Sequence, residues 1–294
     1  MPVTKRSILI TGCSQGGAGN ALALEFASQG LRVFATARSL NSMSNLPDKG
    51  IEILALDVSV PSSIAALKAE IMERTGGRLD ILYNNAGTMY EAPAIEADAT
   101  VIREMFDANV FGLFNVITAF TPLLIAATAS KGPQPTIANV GSIVSHIPYP
   151  FAAAYNASKA AVNAYTNTLR LELSPWGIRV VTIHMGQVAT NLQSAGKINF
   201  GGESLYVELE GKVKARAEEG AVAKEEFARQ VAKGVLGGKN EDIWKGTNAF
   251  VVWAMSGLGV RAVMEWILKG PVGLADQGLV RGVYEKGLRS VSKE

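Results

Sequence analysis

Three features of the chain predict an α/β architecture: one doubly wound domain around a parallel sheet, with a helical extension at its C-terminal end. Short β-rich apolar runs alternate with longer stretches of helical period. Each strand candidate is followed by a helix candidate, the order that builds βαβ units. A glycine-rich turn separates the first strand from the first helix.

The strands are expected at Ser7 to Thr11, Arg32 to Ala37, Ile51 to Leu56, Asp80 to Tyr83, Thr136 to Val140 and Ile178 to His184. Among the helices between them, Asn20 to Gln29, Ser62 to Thr75 and Ala153 to Leu173 have the length to cover the sheet faces. Right-handed crossovers then place ligands beyond the carboxyl ends of the strands. Beyond these, Ser204 to Gly220 and Ala223 to Leu236 read as two lid helices, preceded by a glycine-containing loop from Asn191 to Gly202. Thr247 to Val252 is expected to be the last strand and Trp253 to Leu268 an apolar helix. Its only charges, Arg261 and Glu265, stand at i,i+4. The domain is therefore drawn over residues 1–252, with lid helices within 191–236, and the extension over 253–294.

The 294 residues are 48% hydrophobic and 18% charged, with a net charge of +2 and basic and acidic residues interspersed. That pattern lacks the basic face that nucleic acid requires, so no nucleic-acid partner is expected. A single cysteine, Cys13, excludes an intramolecular disulfide, and with only His146 and His184 no cluster has metal-ligand spacing. The apolar run Ile8 to Ile10 is too short for a signal-peptide core, so no cleaved targeting segment and a cytoplasmic location are expected.

The first turn reads Thr11-Gly12-Cys13-Ser14-Gln15-Gly16-Gly17-Ala18-Gly19. Glycines there let the backbone turn tightly against a pyrophosphate, which the amides and positive dipole of the helix N-terminus stabilise. A P-loop is excluded because no lysine follows Gly17. A glycine turn without a ligand is the plainer alternative. The second strand ends Ala35-Thr36-Ala37-Arg38, without the acid that meets a ribose 2′-hydroxyl in NAD-preferring folds. Arg38 instead suits a 2′-phosphate, hence NADPH, although a solvated arginine would read the same way.

Of seven tyrosines, only Tyr155 has a lysine four residues later, Lys159. On a helix that spacing puts phenol and ammonium on one face. A neighbouring positive charge stabilises phenolate, drawing the tyrosine toward the working range of an acid–base catalyst. Ser142 follows the strand Thr136 to Val140 and so lies at the same sheet edge.

With these residues in hand, the chain resembles the short-chain dehydrogenase/reductases over residues 7 to 190. The matching elements are the Thr-Gly turn, Asp57, Asn84-Asn85-Ala86-Gly87, Asn109, Ser142, and Tyr155 with Lys159, in the family's order. The resemblance implies a Rossmann fold, NADPH as cofactor and a small-molecule carbonyl as substrate. It assigns Tyr155 as proton donor, Lys159 to the ribose and to depressing the tyrosine pKa, Ser142 to the substrate oxygen and Asn109 to a water-linked proton relay. Cofactor contacts fall to Gly12, Ser14, Gln15, Gly17, Gly19, Arg38, Asp57 at adenine, Asn85 and Gly87 beside the adenosine ribose, Val188 and Thr190. It also implies a homodimer or homotetramer through the helices containing Asn109 and Tyr155.

Two departures narrow the resemblance. Gly16 lengthens the first turn by one residue, and Met185-Gly186-Gln187-Val188-Ala189-Thr190 has methionine where the family usually has proline, which frees that backbone. With Gly-Cys-Ser in the turn and Ser204-Leu205-Tyr206 before a charged helix, these features are similar to the fungal NADPH-dependent 1-acyldihydroxyacetone-phosphate reductases and their relatives in secondary metabolism. An apolar or lipid-like substrate is therefore expected. The alternatives are a polyketide, terpenoid or imine, or a non-catalytic NADP-binding scaffold. The charged run Glu208, Glu210, Lys212, Lys214, Arg216, Glu218 and Glu219 reads as a solvated helix face rather than a phosphate clamp. The apolar extension reads as a packed helix or subunit interface, with a substrate lid or a membrane-surface anchor at endoplasmic reticulum or lipid droplets as the other readings.

Overall fold

The computed structural model describes residues 5–129, 132–192, 194–256, 267 and 269–291. Its centre is a seven-stranded sheet in the order β3-β2-β1-β4-β5-β6-β9, with every neighbouring pair parallel. The strands are β1 (Ser7–Ile10), β2 (Arg32–Ala37), β3 (Glu52–Ala55), β4 (Ile81–Asn84), β5 (Thr136–Val140), β6 (Arg179–Met185) and β9 (Asp242–Lys245). Two short strands, β7 (Val188–Ala189) and β8 (Val222–Ala223), pair outside the sheet.

Helices cover both faces, which is why β1 and β4 are buried at every position. One face is filled by α1 (Ala18–Ser28) and α7 (Lys224–Leu236), whose Leu22, Phe26, Phe227 and Val231 pack on Ile8, Ile10, Ala35 and Val181. The other carries α2 (Pro61–Thr75), α4 (Gly112–Thr128) and α5 (Ala153–Glu172), with Ile64, Val116, Phe120 and Val162 against Leu9, Leu82, Ile137 and Val180. Helices α3 (Ala99–Phe106) and α4 run on through a π-turn as one helix from Ala99 to Thr128, and half of its most apolar stretch is buried inside the fold. The strand order reverses between β1 and β4, which opens a crevice at their carboxyl ends.

The six expected strands form within two residues of their predicted bounds, and the three long helices likewise. The last strand does not lie at Thr247 to Val252. It forms at Asp242–Lys245, and the β-branched run after it belongs to helix α8 (Ala249–Ser256). The chain turns at Gly246 and Asn248, both at positive φ, and Gln187 bridges to Thr247 there, so the sheet pairing is already complete when the apolar run begins. The first lid helix is shorter than expected, a 3₁₀ turn at Val207–Leu209 running into α6 (Glu210–Glu218). Of the predicted apolar helix, Val260, Arg261, Met264, Glu265, Trp266 and Leu268 lie outside the described residues. A terminal helix, Gln277–Val291, follows. Val272 of the extension is buried with Ile198, Leu209 and Val213 of the lid.

Candidate active site

The glycine turn is held by the loop after β4. Gly12 has φ 74°, and a Cβ there would stand 2.8 Å from Ala86 Cα, so only glycine fits this approach. Asn85 Nδ2 donates to the carbonyls of Thr11 and Gly12, both at 2.9 Å, and Thr11 Oγ1 accepts from the amides of Asn85 and Ala86. The side chain expected at the adenosine ribose thus fastens the turn. Ser14 and Ser42 share a hydroxyl–hydroxyl bond of 3.0 Å, and the Gln15 amide donates to Ser42. The extra glycine, Gly16, sits at φ 83° against the Asn191 side chain, whose Nδ2 donates to Gln15 O. Gly17 is the N-cap of α1; no side chain caps the helix and its first turn carries no acid. Burial pushes the Cys13 thiol up to about 12, so it is inert.

At the next crevice wall, Arg38 is exposed directly after β2 and its charge helps hold the Asp57 carboxyl below its usual range. The larger cause is Ser59, whose hydroxyl and amide donate to Asp57 Oδ1 at 2.6 and 3.0 Å.

Tyr155 and Lys159 lie on the buried face of α5. Lys159 Nζ donates to Val140 O at 2.8 Å and stands 5.8 Å from the Tyr155 ring centre. Ser142 donates to Met185 O at 3.2 Å and its side chain also hydrogen-bonds Tyr155. Burial raises the phenol above its ordinary range, the Ser142 bond draws it down, and Glu91 and Tyr149 push it further up. Lys159, expected to depress the phenol, is not among the groups that shift it; its ammonium donates to the β5 carbonyl instead. Burial lowers Lys159 itself to about 8.

Asn109 is 1% exposed and occupies a π-turn, Asp107–Phe111, between α3 and α4. Its Nδ2 donates to Thr88 O and Ser158 Oγ, and its Oδ1 accepts from the Thr88 amide. Both amide hydrogens are engaged, so the side chain staples three elements together. A Cβ at Gly87 would stand 3.1 Å from Asn109 Oδ1 and 3.9 Å from Lys159 Nζ, which places all three at one point of the crevice. Met185, where proline was absent, is held in β6 by its pairing with Lys245.

These groups open onto a cavity of about 240 Å³. Ser142 and Tyr155 line it together with Ile143, Val144, Met185, Val188 and Thr190, and with Val251, Val252 and Met255 of α8 and Ile267. No charged side chain lines it among the described residues.

Sequence reasoning missed two groups that line this cavity and one acid behind its wall. Tyr149 and Asn248 line it, Asn248 at φ 63°. Glu91, only 6% exposed, faces Tyr155 electrostatically and binds Arg216 Nη2 at 2.5 Å. Arg216 therefore leaves the solvated face on which its neighbours were read: its side chain is 11% exposed and its guanidinium lies 3.9 Å over the Tyr149 ring. Phe151, at φ 64° and buried, inserts into the lid against Phe200 and Tyr206. No spacing rule links such distant positions; a lone acid, Glu91, in the otherwise uncharged stretch from Gly87 to Ile95 was the one hint in the sequence.

A parallel doubly wound sheet whose crevice gathers a glycine turn, serine, tyrosine and lysine defines a dinucleotide-dependent oxidoreductase type of site. The short chain dehydrogenase family profile matches residues 6–198. The chain belongs to the short-chain dehydrogenase/reductase family. It is 47% identical over 190 residues to an NADPH-dependent 1-acyldihydroxyacetone phosphate reductase of Schizosaccharomyces pombe, a match spanning 65% of this chain and 62% of that protein. Short-chain dehydrogenase RED1 of Pyricularia oryzae is 35% identical over 272 residues, 90% of this chain and 94% of that one. Among solved structures, a short-chain dehydrogenase from Streptomyces avermitilis superposes with a TM-score of 0.75 at 26% identity, covering 89% of this chain and 96% of that one. One from Burkholderia cenocepacia in complex with NADP shares the fold, with a TM-score of 0.72 at 23% identity, over 91% and 99% of the two chains.

Proposed function

We propose that this protein is an NADPH-dependent reductase that converts a ketone or aldehyde on a hydrophobic, uncharged molecule to the alcohol. The observation that carries the reading is a mainly apolar cavity that Ser142 and Tyr155 line, with no charged side chain among its described lining residues. Two features support a phosphorylated dinucleotide: the N-terminus of α1 has no side-chain cap and offers its amides to an anion, and the exposed Arg38 directly after β2 would pair with a 2′-phosphate. NADPH held there supplies the hydride. Ser142 binds the carbonyl oxygen, and Tyr155 gives it a proton as the carbon is reduced. Lys159 supports the phenolate that remains, and Val188 and Thr190, which line the cavity, would meet the nicotinamide end. A fully formed Ser-Tyr-Lys group argues against a merely nucleotide-binding scaffold.

A second reading, reduction of a 1-acyldihydroxyacetone-phosphate-like ketone, is favoured by the 47% identical relative. It requires the phosphate to remain outside the cavity, whose described lining holds no cation. NADPH consumption with 2-decanone, an aromatic aldehyde and 1-palmitoyl-dihydroxyacetone phosphate distinguishes the readings. Turnover of the uncharged ketone above that of the phosphate ester supports the first. The reverse order supports the second, and binding of NADPH without turnover of any of a broad carbonyl panel supports the scaffold.

A further inference from the structure

Arg216 comes from the lid helix α6 but ends among residues that border the reacting phenol. It binds Glu91 Oε1 through Nη2 at 2.5 Å and donates from Nη1 to Pro150 O at 3.1 Å. Its guanidinium also covers Tyr149, a wall of the cavity, at 3.9 Å. Both partners of the ion pair are nearly buried, with side-chain exposures of 11% and 4%. Burial already raises Glu91 although Arg216 draws it down, so without that cation the carboxyl ionises only at higher pH, where its charge then faces Tyr155. A second latch acts beside the first: Ser204 Oγ and the Leu205 amide donate to Glu96 at 2.5 and 2.8 Å. The loop after β4 is thus tied to the lid twice, and only the Glu91 latch faces Tyr155.

We propose that Arg216 is a positioning residue that couples closure of the lid to proton transfer at Tyr155: seated, it neutralises Glu91 and clamps Tyr149 and Pro150; displaced, it leaves a bare carboxylate facing the phenol. The proposal rests on Tyr155 being the proton donor. The groups facing that phenol are Ser142 after β5, Tyr149 and Glu91 from two loops, and Lys159 on its own helix; Arg216 faces Glu91 and Tyr149 from α6. A like charge beside a phenol raises its proton affinity. Alcohol oxidation uses the phenolate, so its acid-side limb moves with that affinity.

The test is the pH profile of NADP⁺-dependent oxidation of 2-decanol by the full chain. Arg216→Met should move the acid-side limb up by about half a pH unit or more, and Glu91→Gln should move it down. The double variant should return it near wild type, and Arg216→Lys should hold it there. Because truncation of a buried pair weakens folding, the double variant, which leaves no orphaned charge, and a phenolate absorbance titration of each NADP⁺ complex against its Tyr155→Phe counterpart supply readouts independent of turnover. If both single variants lose activity with the limb and the titration unmoved, Arg216 is structural only and the inference falls. If Tyr155→Phe retains turnover, the proton-donor reading itself falls.

Discussion

Lys159 Nζ donates to the Val140 carbonyl at 2.8 Å, so the ammonium that borders Tyr155 also ties helix α5 to the end of β5. Position and charge at this point are one interaction. The carbonyl gives a buried cation a fixed partner, yet burial still lowers the lysine to about 8.

That depression has a sign. Lysine protonates in the unfolded chain up to its ordinary value of 10.5 but in the folded chain only up to about 8. Stability therefore rises with pH between those values and is flat below them. Lys159→Met should remove this dependence while abolishing turnover. Thermal midpoints of both proteins from pH 7 to pH 10 check it: wild type should gain on the variant as pH rises.

Tyr155→Phe keeps the ring and loses the hydroxyl bonded to Ser142. Reduction should fall by roughly two to four orders of magnitude, while NADPH affinity by fluorescence titration stays within about twofold. Retention of more than a few per cent of activity would remove Tyr155 from its role.

Arg38→Ala should weaken NADPH binding by roughly ten- to a hundredfold, the worth of a charge-assisted bond, and leave NADH binding unchanged. Equal losses for the two nucleotides would show that Arg38 does not meet a 2′-phosphate.

Gly12→Ala places a Cβ 2.8 Å from Ala86 Cα at φ 74°, against backbone that Asn85 holds rigidly. Nucleotide binding should be lost before the fold is. Asn85→Ala removes the two bonds to Thr11 and Gly12 and should lower stability by about 1–3 kcal/mol, read from denaturant midpoints.

At the far sheet edge His184 links His146 at 3.1 Å to Asp242 at 2.8 Å. Burial, then the charge of His184, lower His146, and the His184 bond lowers Asp242. Both groups bind protons more readily unfolded than folded, so stability is lost as pH falls, first through the ordinary histidine range. His146→Phe should flatten the loss between about pH 7 and pH 5, measured by thermal unfolding.

The sheet was readable because parallel strands buried on both faces appear as short apolar runs, and β1, β4, β5 and β6 have that form. Strand β9 was misplaced because Asp242 and Lys245 flank its ends at the sheet edge, while Phe250, Val251 and Val252 carry β propensity inside a helix. Tyr155, Lys159 and Ser142 were legible through local spacing and strand ends. Arg216 was not, since a charged helical run does not reveal that one member meets a carboxylate 125 residues away.

Phe151 has a further consequence. A φ of 64° is an outlier for an aromatic residue, offset here by packing of the ring with Phe200, Tyr206 and Val213. Its carbonyl holds the Ala92 amide, and α5 begins two residues later. Detachment of the segment carrying Phe200, Tyr206 and Val213 would remove that packing and let the backbone relax. Native-state hydrogen exchange should therefore show the segment from Phe200 to α6 and the first turn of α5 opening as one unit rather than two, with a common free energy well below that of the sheet.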